Sequence, residues 1–245
     1  MRLQIKGFVP STMVDWEGKL ASSLFLPGCN FRCPFCHNPE LVLHPSSIPD
    51  VSFEGIMDFL VERKGWIDGV CITGGEPCIH GDIEHLCREI RQLGLGVKLD
   101  TNGSIPGQLE SLLDGGLLDF VSMDVKAPLE EHSYRVAAGV NTVGLPALVG
   151  ESIALLEDSG LDHEFRTTVV PMLHGPAEIE KIACSLGEGS RYVLQYFRPG
   201  STLNPRYSRL RGFSEEDMGR MLEKAREHLP GTALRGSPER AGDPR

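Results

Sequence analysis

The sequence has no apolar run approaching the ~20 residues of a membrane span, and its N-terminus, MRLQIKGFVPS, has no long apolar core of the kind a secretory signal carries. A cytoplasmic location is expected. Positive charge is scarce: 24 Lys and Arg stand against 34 Asp and Glu, a formal net charge of −10 at pH 7, so no nucleic-acid backbone is expected as the main partner. Neither G-x-x-x-x-G-K-[ST] nor G-x-G-x-x-G occurs, which removes the two common phosphate-cradling loops. The cysteines number seven, an odd count with three in one short loop, so a disulfide framework is not expected and a reducing compartment fits.

What is present is a tight thiol array. Cys29, Cys33 and Cys36 form C-x-x-x-C-x-x-C behind Pro27-Gly28, and no obvious fourth thiol accompanies them. Structural zinc and ordinary electron-transfer clusters usually take four protein ligands, so three point to a centre with a vacant position. A Cys3His zinc site completed by His37 is the plainer alternative. Against it, His37 directly follows Cys36, and adjacent residues seldom aim both side chains at one ion.

The rest of the chain alternates. Residues 1–26 read as an N-terminal hairpin through Asp15-Trp16-Glu17-Gly18 whose second run, Leu20 to Leu26, is the first core strand. Phe53, Ile56, Met57, Leu60 and Val61 then trace a helix capped by Ser52. Further strands are expected at Val70–Thr73, Gly96–Leu99, Leu117–Val125, Phe165–Val170 and Arg191–Phe197. Helices fall between and after them, around residues 83–90, 109–113, 147–158, 179–186 and 218–225. Six strands alternating with helices argue for parallel pairing with right-handed crossovers, in either an open barrel or a doubly wound sheet, and the length suits one domain. The core is expected over residues 20–229, with 230–245 a short strand at Thr232 to Leu234 and a loose tail.

In a parallel barrel the chemistry lies at the C-terminal strand ends. The first strand ends at the cysteines, the second at Gly74-Gly75-Glu76-Pro77, the third at Asp100-Thr101-Asn102-Gly103 and the fourth at Asp124-Val125-Lys126. Any one of these could be turn chemistry, but together with a metal loop they mark one rim. Glycines at 74 and 75 leave room for a ligand against the backbone, and Asp100, Thr101 and Asp124 offer hard oxygen ligands. His174 and Arg198, after the fifth and sixth strands, would reach the same rim. Cys71, Cys87 and Cys184 read as structural, and Cys78 lies near the site without an evident role.

The cysteine loop, with Phe35 before its third thiol, resembles the signature of the radical S-adenosylmethionine (SAM) superfamily. The run from Gly28 to Leu41 is most similar to the activating proteins of anaerobic ribonucleoside-triphosphate reductase, which act on glycyl radical enzymes. The resemblance implies a partial (β/α)6 TIM-like barrel with an N-terminal hairpin extension. It implies a [4Fe-4S] cluster on Cys29, Cys33 and Cys36, with SAM chelating the fourth iron. Phe35, Gly74, Gly75, Glu76, Asp100, Asp124, Lys126 and Arg198 would contact SAM, Glu76 receiving its amino group. Asp100, Thr101 and Asp124 would hold a monovalent cation. Reductive cleavage of SAM to methionine and a 5′-deoxyadenosyl radical would generate a glycyl radical on a partner, with a flavodoxin or ferredoxin as electron donor. No cysteine lies between His37 and Val51, so the ferredoxin-like insert of some activases is not expected. Pyruvate formate-lyase as the partner, a small-molecule reaction as in deazapurine synthesis, and a zinc-stabilised binding module are the alternatives.

Overall fold

A computed structural model describes residues 3–238. Strands β1 (Gly7–Thr12) and β2 (Ala21–Leu26) form an antiparallel hairpin. Six further strands follow: β3 (Gly69–Gly74), β4 (Gly96–Thr101), β5 (Phe120–Asp124), β6 (His163–Val169), β7 (Tyr192–Tyr196) and β8 (Ala233–Arg235). From β2 onward every neighbouring pair is parallel, and the eight strands lie in sequence order with β1 and β8 at the edges. This is a partial, open TIM-like barrel.

Helices α1 (Pro39–Leu43), α2 (Phe53–Glu62), α3 (Ile83–Gln92), α4 (Pro106–Asp114), α5 (Glu131–Ala138), α6 (Leu145–Ser159), α7 (Pro176–Cys184) and α8 (Glu215–Arg226) supply the crossovers. Their starts are legible chemistry. The Ser52 hydroxyl accepts from the Gly55 N–H, and Ser214 with Asp217 closes a reciprocal capping box on α8. Successive strand side chains face opposite ways. One set, including Val70, Ile72, Val97, Leu99, Val121 and Phe165, joins the apolar core with Leu86, Ile90, Leu112 and Ile153 of the helices. The other set is polar and pairs across the strands. Thr73 donates to Asp100, Ser122 to Glu164, and Arg166 to Asp124.

The end of the barrel away from the cysteines is plugged by Trp16, on the β1–β2 turn. A Cβ on Gly69 would come within 2.6 Å of its ring and one on Gly96 within 3.1 Å, so glycine at both positions makes room for the indole. The structure differs from the sequence expectation in detail. Leu117 and Leu118 precede β5 because the turn at Gly115-Gly116 is still closing α4 there. Helix α5 was not anticipated, and the last strand is Ala233–Arg235 rather than Thr232–Leu234. Of the expected tail, residues 239–245 lie outside the described residues. Among the described residues no helix is long and apolar enough to cross a membrane.

Candidate active site

The cysteine loop is fastened from four directions. Gly28 sits at φ +73 and its N–H donates to the Leu41 carbonyl at 2.9 Å. Behind the loop, the Glu76 N–H donates to the Gly28 carbonyl (2.9 Å) and the Gly75 N–H to that of Leu26 (2.9 Å). At the end of α5, the Arg32 N–H donates to Ala138 O (2.8 Å). The following Gly139 has φ +66, and a Cβ there would lie 2.0 Å from the Arg32 carbonyl oxygen. On the β7 side, the Leu203 and Asn204 N–H groups donate to the carbonyls of Cys36 (3.0 Å) and Pro34 (2.9 Å).

This packing corrects one expectation. Gly74 and Gly75 do not clear space for a ligand with their missing side chains. A Cβ on Gly74 would meet the Leu26 backbone at 2.5 Å, and one on Gly75 the Gly28 carbonyl oxygen at 1.6 Å. Their lack of a side chain lets the β3 loop lie against the cysteine loop.

The three thiols face one cleft of about 220 Å3 that is also lined by Phe35, Gly74, Gly75, Glu76, Asp100, Thr101, Asn102, Asp124, Lys126 and Arg166. Among the described residues, one trio of His, Cys, Asp or Glu has ligand atoms all within 4.8 Å of one another, and it is Glu180, Glu227 and His228 on the far surface. His37 turns away from the thiols. Its ring stacks on Phe197 at 5.7 Å and its Nε2 meets the Arg198 carbonyl at 2.7 Å. Burial pushes the Cys33 thiol up to about 12 and the Cys29 thiol up to about 11, the latter opposed by the Phe31 N–H that donates to its sulfur (3.3 Å). Buried thiols of this kind lose their protons to a metal rather than to water.

Glu76 is buried, at 1 % exposure, and its carboxylate accepts from the Thr101 hydroxyl (2.7 Å) and from the N–H groups of Asn102 (2.7 Å) and Cys78 (3.0 Å). Burial raises its pKa despite those three donors. A cationic ligand would relieve that penalty. Asn102, which the sequence marks only as part of the third strand end, links the rims. Its side-chain amide donates to Asn30 Oδ1 (3.0 Å) and lies 3.8 Å from Cys29 Sγ.

The oxygen cage expected from Asp100, Thr101 and Asp124 is not formed. The Thr101 hydroxyl is turned to Glu76, and a cation of the chain itself stands between the two aspartates. Arg166 donates to Asp124 (2.9 Å) and lies 3.5 Å from Asp100. Asp100 also pairs with the buried Lys98, and Asp124 with Lys126 (2.7 Å). Burial alone would raise Asp124, but Arg166 and Lys126 hold its carboxyl well below the usual range. Arg166 was missed, although the alternation Glu164, Arg166, Thr168 along β6 is an inward polar row that could have signalled it.

Two later candidates are placed elsewhere. The Arg198 side chain is exposed and is not part of the cleft lining. His174 is buried beneath the rim, its Nδ1 accepting from the Val170 N–H (2.9 Å) and its Nε2 meeting the Lys126 carbonyl (2.9 Å). It positions Lys126 and does not line the cleft. Cys78 is buried against Glu76 and Thr101, while Cys71 and Cys87 are core thiols and Cys184 is exposed.

Residues 23–183 match the Radical SAM superfamily. Over 237 residues the chain is 27% identical to a protein of Methanocaldococcus jannaschii provisionally named a glycyl-radical enzyme activating enzyme, covering 96% of this chain and 97% of that one. It is 28% identical over 180 residues to the pyruvate formate-lyase-activating enzyme of Clostridium pasteurianum, covering 70% and 71%. In fold it resembles SuiB of Streptococcus suis bound to S-adenosylmethionine (TM-score 0.62, 16% identity), with 87% of this chain spanning about half (51%) of that one. The matched span contains the cysteine loop and the ends of β2 to β5, so the chain belongs to the radical SAM superfamily, whose members work with a [4Fe-4S] cluster and SAM.

Proposed function

We propose that the protein is a cytoplasmic activase that generates a glycyl radical on a partner enzyme, and that this partner is an anaerobic ribonucleotide reductase. The observation that carries the reading is the convergence of Cys29, Cys33 and Cys36 with the buried Glu76 and the Asp124–Lys126–Arg166 group on one cleft. Its support is the likeness along nearly the whole chain to a relative provisionally named for glycyl-radical enzyme activation.

In this reading the three thiolates hold the cluster. Glu76 accepts the SAM ammonium, which gives its desolvated carboxylate the cation that burial demands. Lys126 and Arg166, held cationic by Asp124 and Asp100, face the SAM carboxylate and ribose. Phe35, buried at 5 % exposure, is a wall of the cleft beside the thiols and shields them from water. When bound, the cluster on Cys29, Cys33 and Cys36 and the SAM beside it would supply the one-electron radical chemistry that removal of a hydrogen atom from a glycine Cα requires, and the protein would contribute orientation and exclusion of side reactions. The barrel is open, with β1 and β8 at the two ends of the sheet among the described residues, and in this reading the gap admits a macromolecular substrate. A flavodoxin or a ferredoxin is the source of the electron.

The test is activation side by side. The reduced protein with SAM is mixed with an anaerobic ribonucleotide reductase and, separately, with a pyruvate formate-lyase, and the glycyl radical doublet is integrated. A radical on the reductase alone supports the assignment. One on the lyase alone moves the protein to that partner, and SAM cleavage with no radical on either moves it to a small-molecule reaction.

A further inference from the structure

The rim segment that the proposed chemistry leaves unused is the connection from β7 to α8. Residues 198–211 carry Arg198, Arg206, Arg209 and Arg211 and no Asp or Glu, in a chain of net charge −10. All four arginines are exposed, and among the described residues none of their guanidinium groups has an ion-pair partner. Elsewhere six described arginines pair with acids, Arg88, Arg91, Arg166, Arg191, Arg220 and Arg235, and Arg32, Arg63, Arg135 and Arg226 rest on carbonyls, a ring or an amide. Uncompensated like charges repel, so this concentration runs against stability and calls for another reason.

The segment is also firmly held, and held to the metal loop. Leu203 and Asn204 donate to the carbonyls of Cys36 and Pro34, the Thr202 hydroxyl donates to the Asn204 carbonyl (2.9 Å), and Tyr207 is buried in the core. Arg32, on the cysteine loop itself, adds another exposed guanidinium, fixed on the carbonyls of Cys29 and Phe31. None of the four arginines of the segment lines the cleft. The basic segment thus lies one hydrogen bond from the cysteine backbone and borders the cleft at His37, while its four arginines stay off the cleft lining. An ordered, basic surface hydrogen-bonded to the metal loop of an acidic protein, with none of its arginines in the cleft, matches an acidic partner that delivers electrons to the metal rather than one whose atoms react in the cleft.

We propose that residues 198–211 form the docking surface for a small acidic electron-carrier protein, which loses one electron while the cluster held by Cys29, Cys33 and Cys36 gains it. This rests on the radical SAM assignment and specifies how the site is supplied.

The experiment compares the cluster-loaded wild type with the triple variant Arg206→Glu, Arg209→Glu, Arg211→Glu, using an acidic flavodoxin and an acidic ferredoxin as probes. Calorimetry at low and high salt gives the affinity of each oxidised carrier. Stopped-flow bleaching gives the rate of cluster reduction by each reduced carrier and by dithionite. Binding of a carrier by the wild type should weaken on adding salt, and the triple variant should bind it at least about tenfold less tightly. Reduction by that carrier should slow by a similar factor, while iron content, dithionite reduction and dithionite-driven SAM cleavage stay at wild-type levels and show that the variant is folded. The proposal is overturned if wild type binds neither carrier, if the variant binds both as tightly as wild type, or if the variant instead loses glycyl radical formation under dithionite. Failure of wild type to cleave SAM with dithionite would strike the assignment beneath it, whatever the carriers do.

Discussion

A methyl group on Gly75 would sit 1.6 Å from the carbonyl oxygen of Gly28, one residue before the first cysteine, and neither backbone has freedom to retreat. Gly75→Ala is therefore expected to destabilise the fold by about 1–3 kcal/mol as an overpacked contact, and to lower the iron retained after anaerobic reconstitution because the cysteine loop is displaced. Gly81→Ala, with nothing within 4 Å of its Cβ, is the control and should match wild type in both urea unfolding and iron content. Equal iron in the two variants would contradict the packing role. The Gly-Gly-Glu string was conspicuous in the sequence, but the direction in which the absent side chains would point was not, because it depends on β2 and β3 pairing in register. Arg166 was hidden for a related reason. A charged residue inside a strand means little until its neighbours are known, and Asp100 and Asp124 come from two other strands.

The loop after β6 shows what an element contributes. It carries His174 under the rim, where Nδ1 accepts a backbone N–H and Nε2, bearing the proton, donates to the Lys126 carbonyl, so the neutral ring satisfies both bonds. Burial holds its pKa down to about 4, against about 6.5 when unfolded. The unfolded chain therefore binds a proton that the folded chain refuses between those values. Stability from this group is complete above about pH 6.5 and falls as pH drops towards 4, by about 3 kcal/mol at most. His174→Asn keeps a donor and an acceptor but does not titrate, so its unfolding free energy should vary less steeply than wild type between about pH 4.5 and 6.5. Parallel curves would show that the ring is not held as described. At this scale the sequence was most legible. The strands from β2 to β7 and the long amphipathic helices announced themselves by apolar period and capping residues. Helix α5 did not, because in its eight residues only Tyr134, Ala137 and Ala138 are buried and alanine is a weak marker of a face.

Over the whole molecule the two ends of the barrel do different work. The end at the strand N-termini is closed by Trp16 and by the reach of Glu17 to Arg191 and Arg235. Those ion pairs are largely exposed and contribute about 0–1 kcal/mol each, so the buried indole does most of the sealing. The other end stays open, and there the cysteine loop, the Glu76 loop and the paired aspartates share one cleft. Parallel pairing followed from strand–helix alternation, and the choice of an open barrel over a doubly wound sheet came from the family resemblance. The polar column inside it, from Lys98 through Asp100 and Arg166 to Asp124 and Lys126, becomes visible only when the sheet curls and brings alternate residues of separate strands together.

The central claim is that three cysteines hold an iron–sulfur cluster with a position left open for SAM. Electron paramagnetic resonance of the anaerobically reconstituted, dithionite-reduced protein, recorded with and without SAM, tests it most directly. A [4Fe-4S]+ signal whose shape changes when SAM is added is the predicted result. Absence of a cluster signal, with about one zinc bound per chain in a parallel metal assay, would make Cys29, Cys33 and Cys36 a structural clip and contradict the account.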